Sequence, residues 1–254
     1  MKYLWFLPLF VGGLFLYMFA YAKATKLKEH NLFLHVKKEE KPLRLFFVSD
    51  IHRRKISEAL IKQINEKFDA VIIGGDLAEK GVPLKRIEEN VRRLSSLGKI
   101  YYIWGNNDRE VGEANIKGII QSFGGDVLEN SSAVLKTGKQ RWMICAVDDT
   151  SSGNLNLDQA FTSIQSSDIT IFITHSPFVF KKAKNRYQPH VMMAGHTHGG
   201  QIRLGPFGMF KKGRMMEEEG YYSLISNGYG TSMVPLRLGA RPECHIIRLN
   251  GNIE

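Results

Sequence analysis

The chain has 254 residues, 43% of them hydrophobic and 24% charged, which excludes a disordered polymer and leaves room for one large domain or two small ones. Its 35 Lys and Arg against 25 Asp and Glu give a net charge of +10, a balance suited to phosphates, acidic headgroups or nucleic acid but unable to choose among them. Two cysteines, Cys145 and Cys244, exclude a disulfide scaffold and leave a single bridge open.

Leu4 to Ala22 carries no charge, and at about 1.5 Å per residue it reaches roughly 28 Å, near the thickness of a bilayer's hydrocarbon core. Pro8, Gly12 and Gly13 interrupt it, as membrane helices tolerate, and Trp5 and Tyr21 lie where interfacial aromatics are expected. The run is uniformly apolar, without the stripe of a core helix, and predicts a transmembrane anchor over 1–22. The competing reading is a signal peptide, because Ala20-Tyr21-Ala22 has a small-x-small cleavage pattern. Lys2 is weak as a basic leader, whereas Lys23, Lys26 and Lys28 precede the first acid, Glu29. That asymmetry predicts a single pass with a cytoplasmic domain, and export is the alternative. Residues 23–42 read as a charged connector, either solvated or drawn to an anionic membrane surface.

From Leu43 the patterns alternate, and 43–254 reads as one domain. Strands are expected at Leu43 to Ser49, Ala70 to Ile73, Lys99 to Ile103, Trp142 to Val147, Ile169 to Thr174, Val191 to Ala194, Tyr222 to Ser226 and His245 to Leu249. Helices are expected at Ile56 to Phe68, Pro83 to Leu97, Glu113 to Phe123 and Pro177 to Tyr187. Alternation implies an α/β domain with parallel strands covered by helices, and the strand-rich later part implies a second, mixed sheet.

Chemistry-bearing residues sit where these strands end: Ser49-Asp50-Ile51-His52, Gly74-Gly75-Asp76, Gly105-Asn106-Asn107-Asp108, Thr174-His175 and Gly195-His196-Thr197-His198-Gly199-Gly200-Gln201. In open α/β sheets, sites form beyond the carboxyl ends of the strands. Two carboxylates, one amide and four imidazoles make an oxygen and nitrogen donor set suited to Mn, Fe or Zn, with Mn favoured, and exceed what one tetrahedral ion needs. They fit two ions sharing a bridging carboxylate. Taken singly each piece is weak; it is the coincidence in glycine-bounded, acid-rich loops that counts. His30, His35, His190 and His245 fall outside the pattern and read as structural or surface residues.

The order Asp-x-His, Gly-Asp, Gly-Asn-x-Asp, His, Gly-His-x-His resembles the calcineurin-like metallophosphoesterases. Gly195 to Arg203, Gly230-Thr231-Ser232, Pro235-Leu236-Arg237 and Pro242-Glu243 resemble a membrane-associated bacterial branch of that family. The resemblance implies a four-layer α/β/β/α sandwich. It also implies that Asp50, His52 and His198 hold one metal, that Asn106, His175 and His196 hold the other, and that Asp76 bridges them. It implies hydrolysis of a phosphodiester or pyrophosphate bond by a metal-activated hydroxide.

Two positions depart from the family. Asn107 stands where the family usually has a histidine, its usual candidate for protonating the leaving oxygen or holding a phosphate oxygen, and an amide donates a hydrogen bond but delivers no proton. Arg53-Arg54-Lys55 follows the first block, and these cations are candidates for gripping a substrate phosphate. The expected activity is therefore that of a dinuclear phosphoesterase acting on a phosphate-containing, membrane-linked substrate. The alternatives are a soluble nucleotide phosphodiesterase or a catalytically weak metal-binding scaffold. Scattered basic residues and the lack of a recognisable module argue against specific nucleic-acid binding.

Overall fold

The computed structural model describes residues 6–37, 41–137, 141–218 and 220–253. The chain starts with helix α1 (Phe6–Lys23) and strand β1 (Lys26–Lys37). Then come β2 (Leu43–Val48), α2 (Glu58–Ile64), β3 (Ala70–Gly74), α3 (Leu84–Ser95), β4 (Ile100–Ile103), α4 (Glu113–Ser122) and β5 (Asp126–Leu128). The second half adds β6 (Ser131–Thr137), β7 (Arg141–Ala146), α5 (Leu157–Phe161), β8 (Ile169–Ile173), α6 (Phe180–Tyr187) and β9 (Val191–Ala194). It closes with β10 (Arg214–Glu218), β11 (Tyr221–Ile225) and β12 (Glu243–Ile253).

Two six-stranded mixed sheets result, ordered β1-β12-β2-β3-β4-β5 and β10-β11-β9-β8-β7-β6. Strands β2 to β5 are parallel, as are β7, β8, β9 and β11, with antiparallel neighbours at β12, β6 and β10. Period-two alternation sorts the side chains. Leu45, Phe47, Ile72 and Ile103 meet Ile144, Ile171 and Met193 between the sheets. Phe46, Val71 and Ile73 face outward onto Ile87, Val91, Ile116 and Ile120 of α3 and α4. Phe172 and Met192 face Phe161, Phe180 and Ala183 on the far side. The layering is α/β/β/α. Cys145 and Cys244 are buried and unbridged.

Two expectations are corrected. Among the described residues no helix is long and apolar enough to cross a membrane, so the apolar run yields an 18-residue helix and not the expected transmembrane span. The near half of α1 is taken up by the domain. Met18 and Ala22 are buried, the Met18 carbonyl accepts from Arg237 N, and Arg54 donates to the carbonyls of Ala22 and Lys23. Trp5, named as an interfacial residue, lies outside the described residues. The second correction concerns the connector, which contains β1. This strand pairs in parallel with β12 from Lys26↔Glu243 to Leu34↔Gly251 and buries Leu32, Leu34 and Val36 between the sheets. Alternate apolar residues at 32, 34 and 36 outweigh the flanking lysines because only one face of an edge strand needs to be apolar. Residues 38–40 of that connector lie outside the described residues.

Candidate metal centre

The first sheet delivers its oxygen donors from three adjacent parallel strands. Asp50 and His52 follow β2, Asp76 follows β3, and Asn106 follows β4. The second sheet delivers imidazoles only: His175 after β8, and His196 and His198 after β9. Five of these residues, Asp50, His52, Asp76, His196 and His198, have φ between 49° and 69°. Left-handed backbone is uncommon for non-glycine residues and costs about 1 kcal/mol or more each. It turns each side chain back over the end of its strand toward a common point.

Two nests meet at Asp76. In one, His198 Nε2 lies 3.3 Å from Asp50 Oδ1 and 3.2 Å from His52 Nε2, and His52 Nε2 is 3.6 Å from Asp76 Oδ2. In the other, Asn106 Oδ1 lies 3.2 Å from His175 Nε2 and 2.9 Å from His196 Nδ1, and His175 Nε2 is 3.4 Å from the same Asp76 oxygen. Asp50, His52 and His198 form one buried group able to hold a metal ion, and Asp50, Asp76 and His175 form a second. Imidazole nitrogens and carboxylate oxygens this close, turned inward with their lone pairs converging, fit divalent cations of the Mn, Fe and Zn type.

Surrounding groups fix the imidazoles. His175 Nδ1 lies 2.9 Å from the Gly74 carbonyl and donates to it, which frees Nε2 for a metal. Glu79 Oε2 lies 2.9 Å from His52 Nδ1. Arg237, fully buried, places its guanidinium 3.1 Å from His198 Nδ1 and donates to the carbonyls of Asn227, Gly230 and Ala240. Asp108 is no ligand: its carboxylate accepts from the backbone N–H groups of Asp76, Ala78 and Gly105 and ties the second loop to the third. Sequence reasoning singled out neither Glu79 nor Arg237 as functional. Arg237 lay within a stretch recognised by resemblance, whereas Glu79 carries no local signal.

Proton affinities follow from this packing. Burial pulls His175 down, but the Asp76 carboxylate outweighs it and raises the pKa to about 10. Burial pushes Asp76 up, yet His175 and His52 hold it well below the usual carboxylate range. Burial, with Arg237 alongside, drives His198 down to about 3. Burial and then the neighbouring Asp76 lift Asp108 to about 7. A group that holds a proton as firmly as His175 must give it up before its nitrogen can ligate a metal.

Two glycines permit the approach of the loops. A Cβ at Gly75, where φ is 85°, would run into the His175 ring and the Gly105 backbone, and one at Gly195 would meet the Asp50 carboxylate and the Ser49 hydroxyl.

The remaining expected site residues lie as follows. Asn107 donates from Nδ2 to Asp76 Oδ2 at 2.8 Å and from its backbone N to Asp76 Oδ1 at 2.9 Å. Arg53 is exposed and paired with Glu79. Arg54 is spent on the carbonyls of Ala22, Lys23 and Tyr229, holding α1 to the domain. His30 and His245 pair with each other at 3.1 Å, and His190 accepts from Thr170 N.

The profile of the calcineurin-like phosphoesterase family matches residues 43–200. The chain is 41% identical over 236 residues to the protein YpbG of Bacillus subtilis, covering 92% of this chain and 91% of that one. It is 27% identical to the phosphodiesterase YaeI of Escherichia coli, covering 82% of each. Among solved structures it is similar in fold to a 5'-nucleotidase precursor of Thermus thermophilus, with a TM-score of 0.51 at 11% identity. That match covers 82% of this chain and 55% of that one, so the chain spans about half the length of that enzyme.

Proposed function

The chain belongs to the calcineurin-like phosphoesterase family and is a metal-dependent phosphohydrolase, and from that premise we propose that it hydrolyses a phosphodiester or pyrophosphate bond with a pair of divalent cations. Asp50, His52 and His198 hold one cation, Asn106, His175 and His196 hold the other, and Asp76 bridges. The single observation that carries this reading is that one Asp76 oxygen lies within 3.6 Å of His52 and 3.4 Å of His175, one from each nest. Such a pair supplies charge to neutralise phosphoryl oxygens and acidifies a water toward neutral pKa. The donor set accommodates Mn, Fe and Zn, and Mn is the first to test.

The protein's own groups decide which bonds break readily. Asn107 stands where the resemblance expects a histidine, and its amide donates to Asp76 but releases no proton. A general acid is worth typically 10²–10⁴-fold, so leaving groups that need little protonation are preferred, phosphorylated ones foremost. With Mn²⁺-loaded protein, kcat/KM for a dinucleoside pyrophosphate should exceed that for an unactivated dialkyl phosphodiester by about 10²-fold or more. Equal or better turnover of the dialkyl ester discards the preference, and no turnover of either discards the enzyme reading in favour of a metal-binding scaffold.

The substrate is proposed to be membrane-linked and the protein to be held at a membrane through α1, with its catalytic domain on the cytoplasmic side. Support comes from Leu9, Phe10, Phe15 and Leu16, which α1 leaves exposed, and from Lys23 at its end and Lys26 just beyond, whereas Lys28 is paired with Glu243. Protease accessibility in intact and broken cells tests this. Digestion of the domain in intact cells sinks the cytoplasmic placement.

A further inference from the structure

Beside both nests lies a cleft of about 620 Å³ lined by His196, Thr197 and His198 and, further out, by Ile202, Met209, Phe210, Met233 and Val234. Its lining contains no Asp, Glu, Lys or Arg. Two of the residues assigned to the metal pair therefore belong to a largely apolar trough whose other polar side chains are Thr197, Gln201 and Ser232. Met209 and Met233, on opposite stretches of chain, are 85% and 98% exposed. Leu204 and Phe207 are exposed on the turn between Ile202 and Met209. Large apolar side chains left in water at this density mark a binding surface, and methionine's unbranched, polarizable chain suits an irregular apolar ligand.

The trough is held in shape by polar contacts on its back. Gln201 Nε2 donates to the carbonyls of Ser232 and Val234, and Gln201 Oε1 accepts from Ser232 N. The same stretch runs on to Arg237, whose backbone N donates to Met18 of α1 and whose guanidinium holds His198. One segment, residues 230–237, is thus the trough wall at one end and the seat of the apolar helix at the other. The metal pair, the trough and α1 lie in sequence along it.

The geometry points to the trough as the subsite for an alkyl or acyl chain of the substrate, one carried on the same molecule whose phosphate is cleaved at the metal pair. A second phosphate would meet no Lys or Arg in this lining, and a nucleotide base would find few free polar groups there, because the Gln201 amide is spent on Ser232 and Val234. A flexible hydrocarbon satisfies it by burial alone. This assignment rests on the phosphoesterase reading above.

The test compares methyl p-nitrophenyl phosphate with hexyl p-nitrophenyl phosphate on the full Mn²⁺-loaded chain, below the micelle concentration of the longer ester. Each buried methylene is worth roughly fourfold in affinity, so burying about two of the added methylenes lowers KM for the hexyl ester by about fifteenfold. In the Met209→Ser, Met233→Ser double variant that ratio should shrink to about threefold or less. Hydrolysis of both esters at equal KM overturns the trough and leaves the phosphoesterase reading intact. A chain-length effect that survives in full in the double variant also overturns the assignment to this trough. If neither ester is hydrolysed, the phosphoesterase reading itself falls.

Discussion

The two sheets contribute opposite chemistry to one site. The first supplies Asp50, Asp76 and Asn106 with a single imidazole, from the ends of three neighbouring parallel strands. The second supplies three imidazoles and no carboxylate ligand. Neither set is a metal site alone. The acids repel one another unless cations or protons intervene, and the imidazoles lack the anionic oxygen that favours a hard divalent ion. The complementarity shows in the proton affinities, where the Asp76 carboxylate of the first sheet raises the pKa of His175 of the second. His198, pressed by burial and by Arg237, stays neutral. The fold brings the sheets together through the apolar layer between them, and the site inherits its geometry from that packing.

Removing the shared acid tests the complementarity most severely. Asp76→Asn should lower kcat/KM by about 10³-fold, on the scale of losing a principal electrostatic contributor, with bound metal falling below two ions per chain. Near-native turnover by metal-saturated protein would break the account of a bridged pair. Gly195→Ala acts on the seam between the sheets, pushing a methyl of the second into the Asp50 carboxylate of the first. Activity should fall by about 10²-fold, with weaker metal retention on dialysis. Unchanged metal content and rate would show that the seam can yield.

Milder changes sharpen the contrast. Glu79→Gln removes the negative charge beside His52 Nδ1 and should weaken metal binding by about tenfold, the low end for residues that orient a ligand. Arg237→Lys, which loses the several donors around His198, should cost more than Glu79→Gln. The reverse order in metal titrations would mean that the first sheet is the more dependent on its supports.

The smallest effect is on stability against pH. His175 has a folded pKa of about 10 against an ordinary 6.5, so its contribution is fully present below 6.5 and is lost as pH rises through about 10. In EDTA the thermal midpoint should drop across that window by roughly 5 °C, and bound Mn²⁺ should flatten the profile because the cation replaces the proton. A flat profile in EDTA would contradict the His175–Asp76 pair as the source.

Strand-length apolar runs from Leu43 onward were legible because a buried parallel strand is apolar on both faces, and the acids and histidines stand out at its end. β1 was not, since it is an edge strand whose polar face and flanking lysines look like a solvated linker. β10 and β6 were missed for the same reason. Arg54 looked like a substrate grip because charge in a sequence carries no direction. In the fold it is the clasp that holds two carbonyls at the end of α1, Ala22 and Lys23, beside that of Tyr229 in the domain.

The amino-acid order by itself determined the donor chemistry, the α/β alternation, the family and the substitution at Asn107, because residue type and strand-end position are local properties. Tertiary structure alone decided that five backbones of the candidate site turn left-handed, that Glu79 and Arg237 stand behind the imidazoles, and that a trough without Asp, Glu, Lys or Arg opens onto His196 and His198. Each of those depends on segments far apart in sequence being pressed to within a few ångströms, and only the packed layer between the sheets sets that distance.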